Sequence, residues 1–95
     1  MNQITSIFSK KLSIPDHILA QEVAGEVVLL DLETESYYSL NPVGSRYWHL
    51  LAKSGDVEAA VQEFLQLYTV DEEILRQDVK ALISELVKEA LLTEL

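Results

Sequence analysis

The spacing of apolar residues changes once along this chain, at Asn41-Pro42, and that change limits the folds that the chain can adopt. Before it, short apolar runs alternate with turn residues, which is typical of β-strands. After it, apolar residues recur every three or four positions, which is typical of amphipathic helices. Asparagine is a favourable N-cap and proline a favourable first helical residue, so a helix is predicted to start at Pro42. A sheet followed by helices predicts an α+β fold.

Three strands are predicted in the first part of the chain, at residues 17–23, 26–33 and 36–40. The connections at 24–25 and 33–36 are short, so consecutive strands should pair as an antiparallel meander. In that order the second strand is central and the third lies at an edge. Apolar residues occupy both faces of the second strand, which predicts that both faces are covered.

Three helices are predicted in the second part of the chain. The first ends at Gly55, Asp56 caps the second, and Asp71 caps a third that runs to about residue 92. The third helix carries its apolar residues in adjacent pairs, so its apolar stripe is wider than a minimal seam. Two explanations stay open: the whole stripe is covered by the core, or one margin faces the core and the other walls a groove. This element order is compatible with a winged helix-turn-helix.

The length of 95 residues and the hydrophobic content of 48% predict a single domain over residues 1–95. Residues 1–11 carry weak signals, with Ile4, Ile7 and Phe8 among polar residues, and are expected to form a frayed arm or a short added strand. The absence of cysteine excludes disulfides and favours a reducing cytoplasm. We expect no signal peptide and no membrane span, since no apolar run in the sequence is long enough.

The formal net charge is −9, with 16 acidic and 7 basic side chains. Such a field repels nucleic acid but not a neutral or basic peptide. The basic residues of the helical part, among them Arg76 and Lys80, are scattered between carboxylates. Solubility is the simplest role for this charge. A small winged-helix DNA-binding regulator is therefore the weaker alternative for function.

No constellation of catalytic residues is evident in the sequence. His17 lies beside a turn and His49 on a helix of large apolar residues, and neither has the partners that nucleophilic catalysis needs. Two histidines without motif spacing do not make a zinc site. The three glycines lie at connections or helix ends rather than in a phosphate-binding loop. We therefore expect no enzymatic activity, no cofactor and no metal.

The predicted edge strand offers a binding site of another kind. Its segment SYYSL contains no proline, lysine or glycine that would blunt a sheet edge, so an extended peptide could pair with it by strand addition. Tyr37 and Ser39 should point to one face of the sheet, and Tyr38 and Leu40 to the other. Core packing of either tyrosine, and pairing of this edge with a second copy of the chain, are the alternatives.

The segment GEVVLLDLETESYYSLNPVGSRYW, followed by DVEAAVQEFLQLYTVDEEILRQDVKALISELVKEALL, resembles the small PqqD-like proteins. The resemblance covers about residues 12–93 and depends on the order and spacing of its parts. Such proteins are leader-peptide recognition elements of ribosomally made, modified peptides. The resemblance implies a winged helix-turn-helix of three strands followed by three helices. It also implies that a precursor's leader peptide lies as an added strand against the third strand, in a groove lined by the third helix.

Carried over by position, the resemblance implies a peptide-binding site on the third strand and the third helix. Its members would be Tyr37, Tyr38, Ser39 and Leu40 from the strand, and Leu75, Asp78, Val79, Leu82, Ile83 and Leu86 from the helix. Glu35 stands where the family often has glycine in the hairpin turn. Because glutamate reaches positive φ less easily than glycine, a longer turn would solve this.

Within the family, the chain is most similar to the separate leader-binding subunit of lasso-peptide maturation. The resemblance implies that it presents the leader peptide to a leader peptidase or another modifying enzyme. The alternative pathway is that of pyrroloquinoline quinone, in which the partner is a radical SAM enzyme. Both imply a cytoplasmic protein, a monomer or weak dimer, with neither nucleic acid nor membrane as a partner.

Overall fold

The computed structural model describes residues 6–95, and its element order confirms the predicted α+β fold. A 3₁₀ turn at Ile7–Ser9 is followed by β1 (Leu12–Ser13), β2 (Ile18–Val23), β3 (Glu26–Asp31), β4 (Ser36–Ser39), α1 (Pro42–Ser54), α2 (Val57–Leu67), α3 (Glu72–Lys88) and β5 (Thr93–Glu94). The central three strands form one antiparallel sheet in the order β2-β3-β4, as predicted, and β5 pairs with β1. Three strands followed by three helices match the winged helix-turn-helix order. Ile4, in the predicted arm, lies outside the described residues.

Two short turns set the register of the meander. Between β2 and β3, Ala24 and Gly25 both have positive φ, 55° and 85°, a conformation that two-residue hairpins favour because it matches the strand twist. Between β3 and β4, the amide of Glu35 donates to the Asp31 carbonyl oxygen at 2.8 Å, and Glu35 itself takes a φ of 63°. Because Asp31 pairs with Ser36, the second turn has four residues. Glu35, the last of these four residues, occupies a left-handed position that glycine would reach at lower cost.

A carboxylate holds the second turn in place. The side chain of Asp31 accepts hydrogen bonds from the amides of Glu33, at 2.9 Å, and Thr34, at 3.1 Å. The bond from Thr34 is the main cause that lowers the pKa of the Asp31 carboxyl, and burial opposes it. Asp31 thus remains ionised although little of its surface is exposed.

Each helix begins at a side-chain cap, as the sequence predicts. The side chain of Asn41 accepts from the amide of Gly44 at 2.7 Å, that of Asp56 from Ala59 at 3.0 Å, and that of Asp71 from Ile74 at 3.0 Å. These bonds satisfy amides that have no partner within the first helical turn. Gly55, with a φ of 74°, ends α1.

The end of α3 differs from the prediction. The helix stops at Lys88 rather than near residue 92, and Ala90 turns the chain with a φ of 61°. The amides of Leu91 and Leu92 then donate to the Leu86 carbonyl oxygen, at 2.8 and 3.3 Å. Both leucines are buried, and turning the chain back lets their side chains enter the core while β5 reaches β1.

The core lies between one face of the sheet and the three helices. Its largest fully buried side chains include Tyr47, Phe64 and Leu29. The Tyr47 hydroxyl donates to the Val57 carbonyl oxygen at 3.0 Å, and burial raises its pKa. Burial alternates along β3, and Val28 and Leu30 on the second face are only partly buried. The prediction that both faces of this strand are covered is therefore correct for one face only.

The hydroxyl of Ser45 joins the sheet to α1. It accepts from the amide of Val27 at 2.8 Å and donates to the carbonyl oxygen of Leu40 at 3.3 Å, and Ser45 is buried. Leu40 also donates its amide to the Val27 carbonyl oxygen. The hydroxyl therefore takes the place of the direct bond from the Val27 amide to the Leu40 carbonyl oxygen, at the point where the chain leaves β4 and enters α1.

The segment before β2 packs away from β4. Lys11 forms a β-bridge with Asp56, Lys10 forms an ion pair with Glu94 at 2.9 Å, and the Phe8 ring lies under the guanidinium of Arg76 at 4.8 Å. The described part of the predicted arm thus lies against α2, α3 and β5.

Replacing Glu35 with glycine should stabilise the protein. A left-handed residue with a Cβ costs roughly 1–2 kcal/mol, and the freedom of glycine in the unfolded chain offsets about 0.4–1 kcal/mol of that. Glu35→Gly should therefore raise the free energy of unfolding by about 0.5–1 kcal/mol in urea denaturation. Glu33→Gly is the control, since Glu33 does not have positive φ, and it should lower stability. Equal destabilisation by both variants would contradict the left-handed assignment.

Candidate functional site

A groove of about 510 Å³ lies between β4 and α3, with the start of α1 at its floor. Its volume falls within the range of ordinary ligand sites. The residues that line it come from β4 and the following cap (Tyr38, Ser39, Leu40, Asn41), from α1 (Val43, Gly44, Tyr47) and from α3 (Asp78, Val79, Ala81, Leu82, Glu85).

Gly44 leaves space at the floor of the groove. A Cβ placed on it would lie 3.1 Å from Asn41 Oδ1 and 3.6 Å from Leu82 Cδ2. The first of these contacts is tight, and Asn41 Oδ1 is the atom that caps α1. A larger side chain at this position would disturb the helix start and enter the space between α1 and α3.

The main chain of β4 has unpaired groups along the outer edge of the sheet. The amide of Leu40 donates to the Val27 carbonyl oxygen at 2.9 Å. Hydrogen-bonded positions alternate in an antiparallel pair, so Tyr38, which pairs with Leu29, also bonds to β3. The N–H and C=O groups of Tyr37 and Ser39 therefore point away from β3. Within residues 6–95, no strand pairs with this edge.

The groove brings together a majority of the residues that the resemblance assigned to a peptide site: Tyr38, Ser39, Leu40, Asp78, Val79 and Leu82. Tyr37 projects from the opposite face of the sheet, and 72% of its surface is exposed. Leu75, Ile83 and Leu86 are buried in the core and do not line the groove. Val79 lines it but is only 2% exposed.

The sequence did not predict the contributions of Asn41, of α1, or of two α3 residues, Ala81 and Glu85. For Glu85 a signal was available, because Asp78, Leu82 and Glu85 recur at the spacing of one helix face. For Gly44 and Tyr47 no such signal exists. Their place at the floor depends on the angle between α1 and α3, which is a tertiary feature.

The charged residues that line the groove are both acidic. Asp78 and Glu85 belong to the lining, whereas no lysine, arginine or histidine does. The phenol of Tyr38 has a raised pKa, first because burial disfavours the phenolate and then because Glu85 and Glu89 repel it. The groove therefore disfavours an anionic guest.

Other candidate chemistry is sparse in the part of the chain that the structure describes. His17 Nδ1 lies 3.8 Å from Glu33 Oε2 beside the β3–β4 turn, and His49 is exposed on α1. Among residues 6–95, no group of three or more His, Cys, Asp or Glu residues could hold a metal ion. None of the helices described here combines the length and the apolar character needed to cross a membrane.

Tyr38 should ionise at a higher pH than an unperturbed tyrosine, whose pKa is about 10. Glu85→Gln removes one of the two charges that raise this pKa, so it should move the titration to lower pH, although burial keeps it above the ordinary value. NMR of ring-labelled tyrosine measures the shift. Glu73→Gln, at an exposed position in the first turn of α3, is the control. An unchanged Tyr38 titration in Glu85→Gln would contradict this arrangement of charges.

Comparison with solved structures places the fold among known leader-peptide complexes. A structure described as "TbiB1 in Complex with the TbiA(beta) Leader Peptide" is 35% identical, with a TM-score of 0.72, over 83% of this chain and 92% of that chain. A second, "Lasso peptide synthetase B1 complexed with the leader peptide", is 18% identical, with a TM-score of 0.68, over 86% and 96% of the two chains. At this lower identity the likeness concerns the fold alone. No curated protein sequence gives a significant match.

The family model described as "Coenzyme PQQ synthesis protein D (PqqD)" matches residues 26–92, which include the sheet from β3 onward and all three helices. This match covers well over half of the chain and agrees with the resemblance that the hairpin and helix segments predicted. The chain therefore belongs to the PqqD family.

Proposed function

We propose that this protein is a non-enzymatic adaptor that binds the leader region of a ribosomally made precursor peptide and delivers it to a leader peptidase or another maturation enzyme. The observation that carries the proposal is the open edge of β4 beside the groove. In this proposal the whole chain, residues 1–95, acts as one binding domain in the cytoplasm.

Strand addition explains how the edge would hold the peptide. The outward N–H and C=O groups of Tyr37 and Ser39 are two residues apart, which is the repeat of an antiparallel ladder. A guest chain paired with them would direct alternate side chains into the groove, towards Leu40 and Leu82. The opposite edge of the sheet, β2, contributes no residue to the groove, so β4 is the better site.

The predicted site residues take different roles in this proposal. Tyr38, Asp78 and Leu82 contact the leader peptide through their side chains. Tyr37 and Ser39 contribute their main chains, because their side chains lie on the other face of the sheet. Leu40 and Val79, each 2% exposed, form the base of the groove, and the buried residues Leu75, Ile83 and Leu86 hold α3 at the distance from β4 that leaves the groove open.

The similarity to TbiB1, which was solved with a leader peptide, favours lasso-peptide biosynthesis as the pathway. The matching family model favours an alternative, in which the protein presents a precursor to the radical enzyme of pyrroloquinoline quinone synthesis. The two differ in the leader peptide that binds. DNA binding is disfavoured, because the charged residues that line the groove are both acidic and the net charge is −9.

The edge is tested by Ser39→Pro. Proline removes an outward amide without removing a bond to β3, so binding of a fluorescein-labelled leader peptide, encoded beside this protein's gene, should weaken about 10-fold. Ser39→Ala keeps the amide and is the control, with unchanged affinity expected in fluorescence polarisation. Circular dichroism verifies that both variants keep the fold. Wild-type affinity in a folded Ser39→Pro variant, or a wild-type protein that binds no such leader peptide, would refute the proposal.

Leu82 and Val79 should respond differently to a polar substitution. Leu82 is half-buried and lines the groove, so Leu82→Gln should weaken leader binding while largely preserving stability. Val79 is 2% exposed, and Val79→Asn should lower the free energy of unfolding by about 1–3 kcal/mol because it buries an amide without partners. Polarisation and urea denaturation measure the two effects. Loss of stability without loss of affinity in Leu82→Gln would place the peptide elsewhere.

A further inference from the structure

We infer that the guest strand carries a lysine or arginine whose side chain lies against the acidic wall formed by Asp78 and Glu85. This inference rests on the proposed function and names a feature of its ligand. The affinity of strand addition comes mainly from main-chain bonds, which any sequence can make. The side chains of α3 are therefore where selectivity for one leader peptide can arise.

The two carboxylates share one side of α3. They are seven residues apart, which is about 10 Å along a helix axis, and Leu82 lies between them. Glu89 lies one turn beyond Glu85, and its charge also reaches Tyr38. The wall thus presents an apolar side chain flanked on both sides by negative charge.

No cation of the described residues neutralises this wall. Among residues 6–95, the ion pairs within 4 Å include neither Asp78 nor Glu85 nor Glu89. Arg76, also on α3, is bound to Glu58 and Glu72 instead. Lys80 and Lys88 are exposed and do not line the groove. A cation brought by the guest would meet carboxylates without a competing partner.

The geometry of a strand limits where that cation lies in the guest. Side chains on one face of a strand recur every second residue, at a distance of about 6.6 Å. A side chain opposite Leu82 should therefore be apolar, and the cation should lie two residues from it, on the same face. There its alkyl stem can also cover the ring of Tyr38. The expected ligand is an extended peptide, neutral or basic overall, in which an apolar residue and a lysine or arginine lie two positions apart.

A double-mutant cycle tests the inference. Asp78→Asn/Glu85→Gln removes the wall charges, and Glu22→Gln/Glu73→Gln removes two exposed charges elsewhere, so both variants have the same net charge. The probes are the fluorescein-labelled leader peptide from the neighbouring gene and versions in which each lysine or arginine is replaced by glutamine. The wall variant should bind the unmodified peptide about 3- to 10-fold more weakly than wild type. One glutamine peptide should bind both proteins equally, and the control variant should behave as wild type.

Two results would overturn the inference. One is a leader peptide that binds tightly, and in a manner sensitive to Ser39→Pro, with no lysine or arginine in the bound segment. The other is a wall variant with wild-type affinity for a basic leader peptide. Either result leaves strand addition intact, whereas insensitivity to Ser39→Pro would instead remove the proposed function. The Tyr38 titration verifies independently that the charge of Glu85 was removed.

Discussion

The junction between β4 and α1 depends on one buried hydroxyl. Val27 and Leu40 make only one of the two main-chain bonds of an antiparallel pair, and Ser45 Oγ takes the place of the other. The ladder can therefore stop at Leu40 without leaving the Val27 amide or the Leu40 carbonyl unsatisfied, which would be costly in the core. Because Gly44 precedes Ser45 in sequence, the same contact fixes the floor of the groove relative to the strand that forms its edge.

The charges of α3 are divided between two sides of the helix. Arg76 makes a bidentate pair with Glu58 at 2.8 Å and a further bond to Glu72, and it covers the ring of Phe8. The guanidinium, and then Gln62, lower the pKa of Glu58 to about 2. This cluster ties α3 to α2 and to the N-terminal segment. On the opposite side of the helix, the charged residues that line the groove are both carboxylates, so the arrangement that stabilises the fold also leaves the acidic wall without a partner.

Local chemistry allowed the sequence to predict most of the fold, and it failed where contacts are long-range. Caps act within one turn, so Asn41, Asp56 and Asp71 predicted the helix starts correctly. The end of α3 has no such local signal. It is determined by the burial of Leu91 and Leu92 and by the pairing of β5 with β1, which involve residues from the other end of the chain.

The same distinction applies to the candidate site. The adjacent apolar pairs of α3 predicted a wide stripe, covered either wholly by the core or partly by a groove. In the structure Leu75, Ile83 and Leu86 face the core, whereas Leu82 lies at the margin that faces the groove. Periodicity places residues on a face but does not say what the face meets. Deciding between core and groove required the position of β4 relative to α3.

Fold and charge indicate different ligands for this protein, and charge is the more informative of the two. A winged helix-turn-helix is compatible with DNA, but fold alone does not establish function. A duplex would have to bring its phosphates against a chain of net charge −9, and it would not use the unpaired edge of β4. An extended peptide satisfies the edge through its main chain and is repelled by the acidic wall only if it is itself acidic. The acidic charge that disfavours nucleic acid thus includes Asp78 and Glu85, the residues that we propose discriminate between peptides.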